Sequence, residues 1–218
     1  MQKAAGKAIR SSKNTILLSP TGTGKTLAFL LPLLNDLDAE VSNVQAMILV
    51  PSRELAIQIE QVIREMGTGF KANAVYGGRS SAKDKIELKH PPAIIIGTPG
   101  RLADHLRRDT FSSENIKTIV LDEFDKSLEI GFKDEMSEIF ELLPGIEKRI
   151  LTSATQNVKI PGFVGMREPE KVNYLSEEVA LLKVKTVNAA NKDKLNSLLD
   201  LLAHIGNKPG IIFCNFKD

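Results

Sequence analysis

Residues 19–26 read SPTGTGKT, directly after a short apolar run, TILLS at 15–19, and directly before a segment, 25–37, whose apolar residues recur at helical spacing. A strand that breaks into a Gly-rich turn and then a helix constrains this chain more than any other stretch. Gly22 and Gly24 let the backbone turn with no side chain in the way, so successive N–H groups can point inward at a polyphosphate. The helix behind offers its positive N-terminal end. Thr21, Gly22, Thr23 and Gly24 then form the cradle, Lys25 reaches the β- and γ-phosphates, and Thr26 supplies a hydroxyl to Mg²⁺. The general form of this motif opens with Gly where the chain has Ser19.

The alternation continues downstream. AMILV at 46–50 precedes a helix-like 53–66, and AIII at 93–96 precedes 101–107. Apolar strands follow at 118–121 (TIVL) and 149–151, with an amphipathic segment at 134–143 between them. Strands apolar at nearly every position belong to parallel sheets buried on both faces. The reading is α/β and doubly wound: a mostly parallel sheet with helices on both faces. Between 175 and 182 the alternation stops, a new helical pattern covers 194–205, and GIIFC at 210–214 reads as a strand. A remnant of roughly 40 residues cannot normally bury its own core. The chain is therefore expected to divide into a domain at 1–176 and an incomplete second part at 177–218.

Charge narrows what such a chain can hold. The 29 Lys+Arg against 27 Asp+Glu leave a net charge of +2, and Trp is absent. Few aromatics argue against a surface that stacks bases on rings, so any nucleic acid must be held through its phosphate backbone. The single cysteine, Cys214, excludes an intramolecular disulfide framework and a cysteine-based zinc site, which leaves oxygen ligands for metals. No apolar run approaches the 18 or more residues of a membrane span, and no signal core follows Met1, so the expected location is cytoplasmic.

A magnesium-nucleotide site needs an acid on a neighbouring strand, and Asp122-Glu123 closes the TIVL strand at its carboxyl end, the edge where open α/β sheets bind ligands. Neighbours in an extended chain point to opposite sides, which predicts separate tasks. Asp122 is then expected to hold Mg²⁺, directly or through water, and Glu123 to accept the proton of the water that attacks the γ-phosphate. Ser153 and Thr155, two residues apart after another apolar strand, fall on one side and can bond to Asp122 or Asp125; they equally suit an ordinary turn.

SPTGTGKT at 19–26, PSRELAIQ at 51–58, Gly77-Gly78, TPGR at 98–101, DEFD at 122–125 and SAT at 153–155 occur in one fixed order. This set resembles the first RecA-like domain of DEAD-box RNA helicases, and IIFCN at 211–215 resembles the opening motif of the family's second RecA-like domain. The resemblance implies a P-loop NTPase that uses ATP and Mg²⁺, binds RNA and separates strands locally, with hydrolysis resetting the enzyme. It assigns Lys25, Asp122 and Glu123 to catalysis, Thr26 and Asp122 to the metal, and Asp125, Ser153 and Thr155 to coupling hydrolysis with unwinding. Gln2 lies 23 residues before Lys25, the place of the family's adenine-recognising glutamine.

Pro51, Arg53, Gly77, Gly78, Thr98 and Arg101 are implied as RNA contacts. Ser52 and Thr98 are suitable N-caps, and Pro99 suits the first helical position, so two helix starts would offer N–H groups to a phosphate beside Arg53 or Arg101. Without the resemblance both arginines read as solvated cations and Gln2 as an exposed terminal side chain.

The chain departs from the pattern at Phe124, where the family has alanine, at Ser19 and at Ser52. The Phe124 ring is expected to pack between strand and helix. No aromatic residue precedes Gln2, and the arginine-bearing motifs of the second RecA-like domain, which the resemblance implies as the partner in the ATP site, are missing from the sequence up to Asp218. Two other readings use the same residues: a DNA-directed translocase, or an ATP-gated RNA clamp in which Phe124 disables hydrolysis.

Overall fold

Apolar residues at consecutive strand positions face two different cores. In the computed structural model, which describes residues 1–78, 81–156, 159–175, 185–189, 194–206 and 209–213, β2 (Ala46–Leu49) sends Met47 and Leu49 to one side. Ala46 and Ile48 go to the other. The same division splits Ile95 from Ile94 and Ile96 in β4 (Ile94–Gly97), and Ile119 and Leu121 from Val120 in β5 (Thr118–Leu121). Side chains alternate across a pleated strand, so a run apolar throughout needs packing on both faces.

β1 (Asn14–Leu18), β3 (Ala72–Val75), β6 (Lys148–Ser153) and β7 (Glu170–Asn173) complete a sheet of seven strands in the order β3-β4-β2-β5-β6-β1-β7. Every neighbouring pair is parallel.

Helices cover both faces. α2 (Lys25–Asn35) and α3 (Arg53–Glu65) bury Phe29, Leu30, Leu33, Ile59 and Ile63 against one. α5 (Pro99–Arg107) and α7 (Lys133–Leu142) bury Leu102, Leu106, Met136 and Ile139 against the other. In α3 the buried Ala56, Ile59 and Ile63 recur at the spacing that keeps one helical stripe inward. α1 (Gln2–Ser11), α4 (Ser81–Glu87) and α6 (Phe124–Ile130) are the remaining helices of this part, and with β3 and β7 they have no counterpart in the sequence reading.

At Gly97, which pairs with Val75, β4 lies tight against β3. A Cβ there would lie 2.3 Å from the Val75 carbonyl oxygen and 2.9 Å from a Val75 methyl, so only glycine fits. This close approach sits immediately before Thr98 and brings the ends of both strands together.

The chain forms two compact units, Met1–Val179 and Ala180–Asp218. The expected boundary between 176 and 177 falls outside the described residues. In the second unit α8 (Leu195–Ile205) occupies the predicted helical segment, with Leu195, Leu199, Leu202 and Ile205 exposed. The strand expected at 210–214 is not observed: residues 209–213 carry no regular structure, and Cys214 lies outside the described residues. A strand needs a neighbour to take its backbone hydrogen bonds, and among the described residues of this unit there is none. No helix among the described residues is long and apolar enough to cross a membrane.

Candidate functional site

Two clefts lie where strands end and helices begin. The first, about 340 Å³, is lined by Thr21, Gly22, Gly24, Lys25, Thr26, Leu55, Gln58, Asp122 and Glu123. It forms because β1 breaks into the loop at Ser19 and α2 restarts at Lys25 behind Gly24, whose φ of 86° is left-handed. Gln2, the first residue of α1, lies against this turn: a Cβ on Gly24 would stand 2.7 Å from Nε2 of the Gln2 side chain.

Lys25 is buried, and its ammonium donates to the carbonyl oxygens of Ser19 at 2.7 Å and Pro20 at 2.9 Å. Burial lowers its pKa below the ordinary lysine value, against the pull of Asp122, Glu123 and Asp125. Thr23 is not among the residues lining the cleft. Its hydroxyl donates to the Pro20 carbonyl at 2.8 Å and pairs with the Ser19 hydroxyl at 2.6 Å, so the Ser19 departure braces the loop from within.

Asp122 is 3% exposed, and burial pushes its pKa up to about 6; a hydrogen bond from the Thr152 hydroxyl opposes that rise. The same Thr152 oxygen accepts from the Glu123 amide at 3.1 Å. Glu123 itself takes φ 48°, ψ 50°, a left-handed conformation that is costly for a non-glycine residue and frequent at functional sites. That backbone corrects the extended-chain reading of the pair. The strand ends at Leu121, the chain reverses hand at Glu123, and both acids line one cleft.

Ser153 and Thr155 do lie on one side of the chain, but neither bonds to Asp122 or Asp125. The Ser153 hydroxyl donates to the Thr155 carbonyl at 3.0 Å, accepts from its amide at 3.0 Å and meets its hydroxyl at 3.2 Å. Thr152, one residue earlier, takes the contact with Asp122. Asp125 is buried, with no hydrogen-bond partner for either carboxylate oxygen among the described residues. Phe124 is fully buried in the core with Met136 and Ile139, clear of the cleft.

Among the described residues no group of three or more His, Cys, Asp or Glu could hold a metal by itself. The Thr26 hydroxyl and Asp122 carboxylate are hard oxygen donors of the kind that suits Mg²⁺, which keeps most of its ligands from water and phosphate. The residues present fit that ion.

The second cleft, about 530 Å³, is lined by Pro51, Ser52, Arg53, Gly77, Thr98 and Arg101, with Glu54, Gly100, Asp104 and Phe132. Ser52 caps α3 as expected, its hydroxyl accepting from the Leu55 amide at 3.2 Å. Thr98 stands at the N-cap of α5 without a side-chain cap bond, and Pro99 follows as its first residue. Gly78 is exposed and is not among the lining residues.

The two arginines differ. Arg53 is well exposed and bonds its neighbour Glu54 at 2.6 Å. Arg101 is turned inward, its side chain 12% exposed, with contacts to Asp84 at 2.7 Å and Asp104 at 3.4 Å. Asp84 also meets the buried His105 ring at 3.1 Å, and burial lowers the His105 pKa despite that neighbour.

A parallel doubly wound sheet with a Gly-rich loop after β1 and two acids at the end of β5 defines a RecA-like domain. The DEAD/DEAH box helicase family model matches residues 1–161, and the chain belongs to that family. It is 35% identical to the DEAD-box ATP-dependent RNA helicase CshA of Bacillus subtilis over 213 residues, which are 95% of this chain and 43% of the relative. It is also 35% identical to the ATP-dependent RNA helicase eIF4A of Neosartorya fischeri, across 100% of this chain and 56% of that protein.

Among solved structures, a DEAD box protein from the hyperthermophile Methanococcus jannaschii superposes with a TM-score of 0.66 at 32% identity, over 71% of this chain and 43% of that one. A second, described as a hypothetical ATP-dependent RNA helicase from Sulfolobus tokodaii, gives 0.68 at 25% identity, over 79% and 51%. The chain thus spans about half the length of the relatives it matches.

Proposed function

We propose that this chain is the ATP-binding part of an ATP-dependent RNA helicase, with residues 1–176 as one RecA-like domain and 177–218 as the linker and start of a second. The reading rests on one observation above all: Lys25, Thr26, Asp122 and Glu123 share a cleft with the Gly22–Gly24 turn. Lys25 exchanges the Ser19 and Pro20 carbonyls for phosphate oxygens, and the Gln2 amide beside Gly24 selects adenine. Bound Mg²⁺, held by Thr26 and Asp122, would neutralise phosphate charge. Glu123 takes the proton of the attacking water. Pro51, Arg53, Gly77, Gly78, Thr98 and Arg101 hold an RNA backbone without reading its sequence. Asp125, Ser153 and Thr155 pass the state of the nucleotide to that track.

The second RecA-like domain of the full-length protein completes the ATP site with cationic side chains. The protein acts in the cytoplasm and needs no membrane. Burial of Phe124 in the core favours a hydrolysing enzyme over an ATP-gated clamp.

The test is ATPase activity of the full-length protein with RNA and with DNA of equal length. RNA should stimulate turnover, and Lys25→Ala or Glu123→Gln should abolish it. Full activity in Glu123→Gln would sink the assigned base, equal stimulation by DNA would favour a DNA translocase, and ATP-dependent RNA binding without turnover would favour the clamp.

A further inference from the structure

One helix contributes residues to both clefts. Pro51, Ser52, Arg53 and Glu54, at the start of α3, line the second cleft, and Leu55 and Gln58, in its next turn, line the first. Leu55 and Gln58 are three residues apart and so share one helical face, while Ala56 and Ile59 fill the stripe that anchors α3 in the core. A side-chain hydrogen bond reinforces the helical ladder at this point: the Ser52 hydroxyl, lining one cleft, accepts from the amide of Leu55, which lines the other. The start of α3 is also tied into both strand ends. The Val50 amide donates to the Gly97 carbonyl at 3.0 Å, beside Thr98, and the Asp122 amide donates to the Leu49 carbonyl at 2.9 Å.

Gln58 is therefore the polar side chain that α3 contributes to the cleft holding Lys25, Asp122 and Glu123. Its carboxamide carries both a donor and an acceptor and no charge. That chemistry suits a water molecule or a phosphate oxygen at a site already crowded with fixed charges, and an amide can orient an attacking water without competing for its proton.

We infer that Gln58 is a positioning residue for the hydrolytic step, and that α3 transmits the docking of an RNA backbone at Arg53 to Gln58 as one rigid element. The inference rests on the function proposed above, since it assumes phosphate chemistry in the first cleft and RNA in the second. It adds a residue and a mechanical route that the glycines, the lysine and the acids do not supply. A misplacement of about 1 Å at a reacting group can cost ~100-fold in rate, so a small movement of α3 is enough.

The experiment uses the full-length protein with Gln58→Ala and the near-isosteric Gln58→Glu, and with Gln61→Ala as a control on the same helix. RNA-stimulated and RNA-free ATPase give kcat and KM, fluorescent ADP gives nucleotide affinity, and circular dichroism reports folding. Both Gln58 variants should lose at least ~10-fold in RNA-stimulated kcat while KM and ADP affinity move less than ~3-fold, with Gln61→Ala unchanged. Full kcat in either folded Gln58 variant would overturn the assignment. So would a loss of ADP affinity as large as the loss of kcat, which would make Gln58 a binding residue. If the unmodified protein is not stimulated by RNA, the RNA part of the function and the α3 route fail together. Gln58 is then judged by RNA-free turnover, where the same loss is expected and its absence overturns the role.

Discussion

Thr152 and Asp122 stand at the ends of neighbouring strands and are joined through Thr152 Oγ1 and Asp122 Oδ1, while the same hydroxyl oxygen accepts from the Glu123 amide. One side chain thus orients the carboxylate proposed to meet the metal and fixes the left-handed turn at the carboxylate proposed as base. Thr152→Val keeps the β-branched shape and removes both contacts. It should cost about 1.5–3 kcal/mol, because a hydrogen bond to a charged group is lost and its buried partner stays unsatisfied. Urea unfolding of this chain gives the cost directly. Thr152→Ser, which keeps the hydroxyl, should recover most of it.

The burial of Asp122 makes a prediction about pH. Its folded pKa, about 6, lies above the ordinary aspartate value of 3.8, so folding favours the protonated form. The stabilising contribution of that proton is complete below about pH 4 and is lost as pH rises through 6. At pH 7–8 the buried charge then costs the fold up to about 3 kcal/mol. Asp122→Asn should therefore be more stable than the unmodified chain at pH 8, and the gap should close by pH 4. Denaturation midpoints across that range decide it, and a constant gap would mean that Asp122 is not the titrating group. Binding runs the other way: Mg²⁺-nucleotide affinity should fall as pH drops below 6, because the metal needs the carboxylate.

These two residues mark the limit of what the sequence discloses. The acids, the GKT turn and the doubly buried strands are legible because their signals are local: a residue type, a spacing, an apolar run. Thr152 is not, since a threonine inside an apolar strand reads as ordinary β propensity until β6 is laid beside β5. Gln58 reads as one more polar residue on the outer face of an amphipathic helix. Arg101 suggests a free cation at a helix start, yet its guanidinium is taken up by Asp84, 17 residues earlier and on another helix. The extended-strand assumption fails at Glu123 because the backbone reverses hand there. β3 escapes notice because ANAV is short and carries a polar Asn73.

Gly97 is a structural requirement rather than a ligand contact. Gly97→Ala would place a methyl 2.3 Å from the Val75 carbonyl oxygen, 2.9 Å from a Val75 methyl and 3.0 Å from Leu102 Cγ, and the backbone oxygen cannot turn aside as a side chain can. The substitution should destabilise the chain by about 3 kcal/mol, at the upper end for overpacked sites. It should also lower RNA affinity, because the strand ends that carry Gly77 and Thr98 must separate. Thermal unfolding together with RNA anisotropy tests both parts; an unchanged melting temperature would rule out the tight approach.

Asp84 offers the last test, and it separates support from contact in the proposed RNA cleft. Its side chain is fully buried between Arg101 and His105. Removing one partner of a buried ion pair typically costs about 3–5 kcal/mol where the other charge is left uncompensated; Arg101 keeps Asp104 at 3.4 Å, which places the cost of losing Asp84 at about 3 kcal/mol. Asp84→Ala should therefore be strongly destabilised. Asp84→Asn, which keeps the shape and some hydrogen bonding, should lose less. His105 adds a pH signature of opposite sign to that of Asp122. Burial depresses its folded pKa, so its contribution is present above the unfolded value of about 6.5 and is lost as pH falls through the folded one. A His105→Gln chain should lose less stability on acidification from pH 7 to 5 than the unmodified chain does. Identical acid profiles for the two would mean that His105 carries no such linkage.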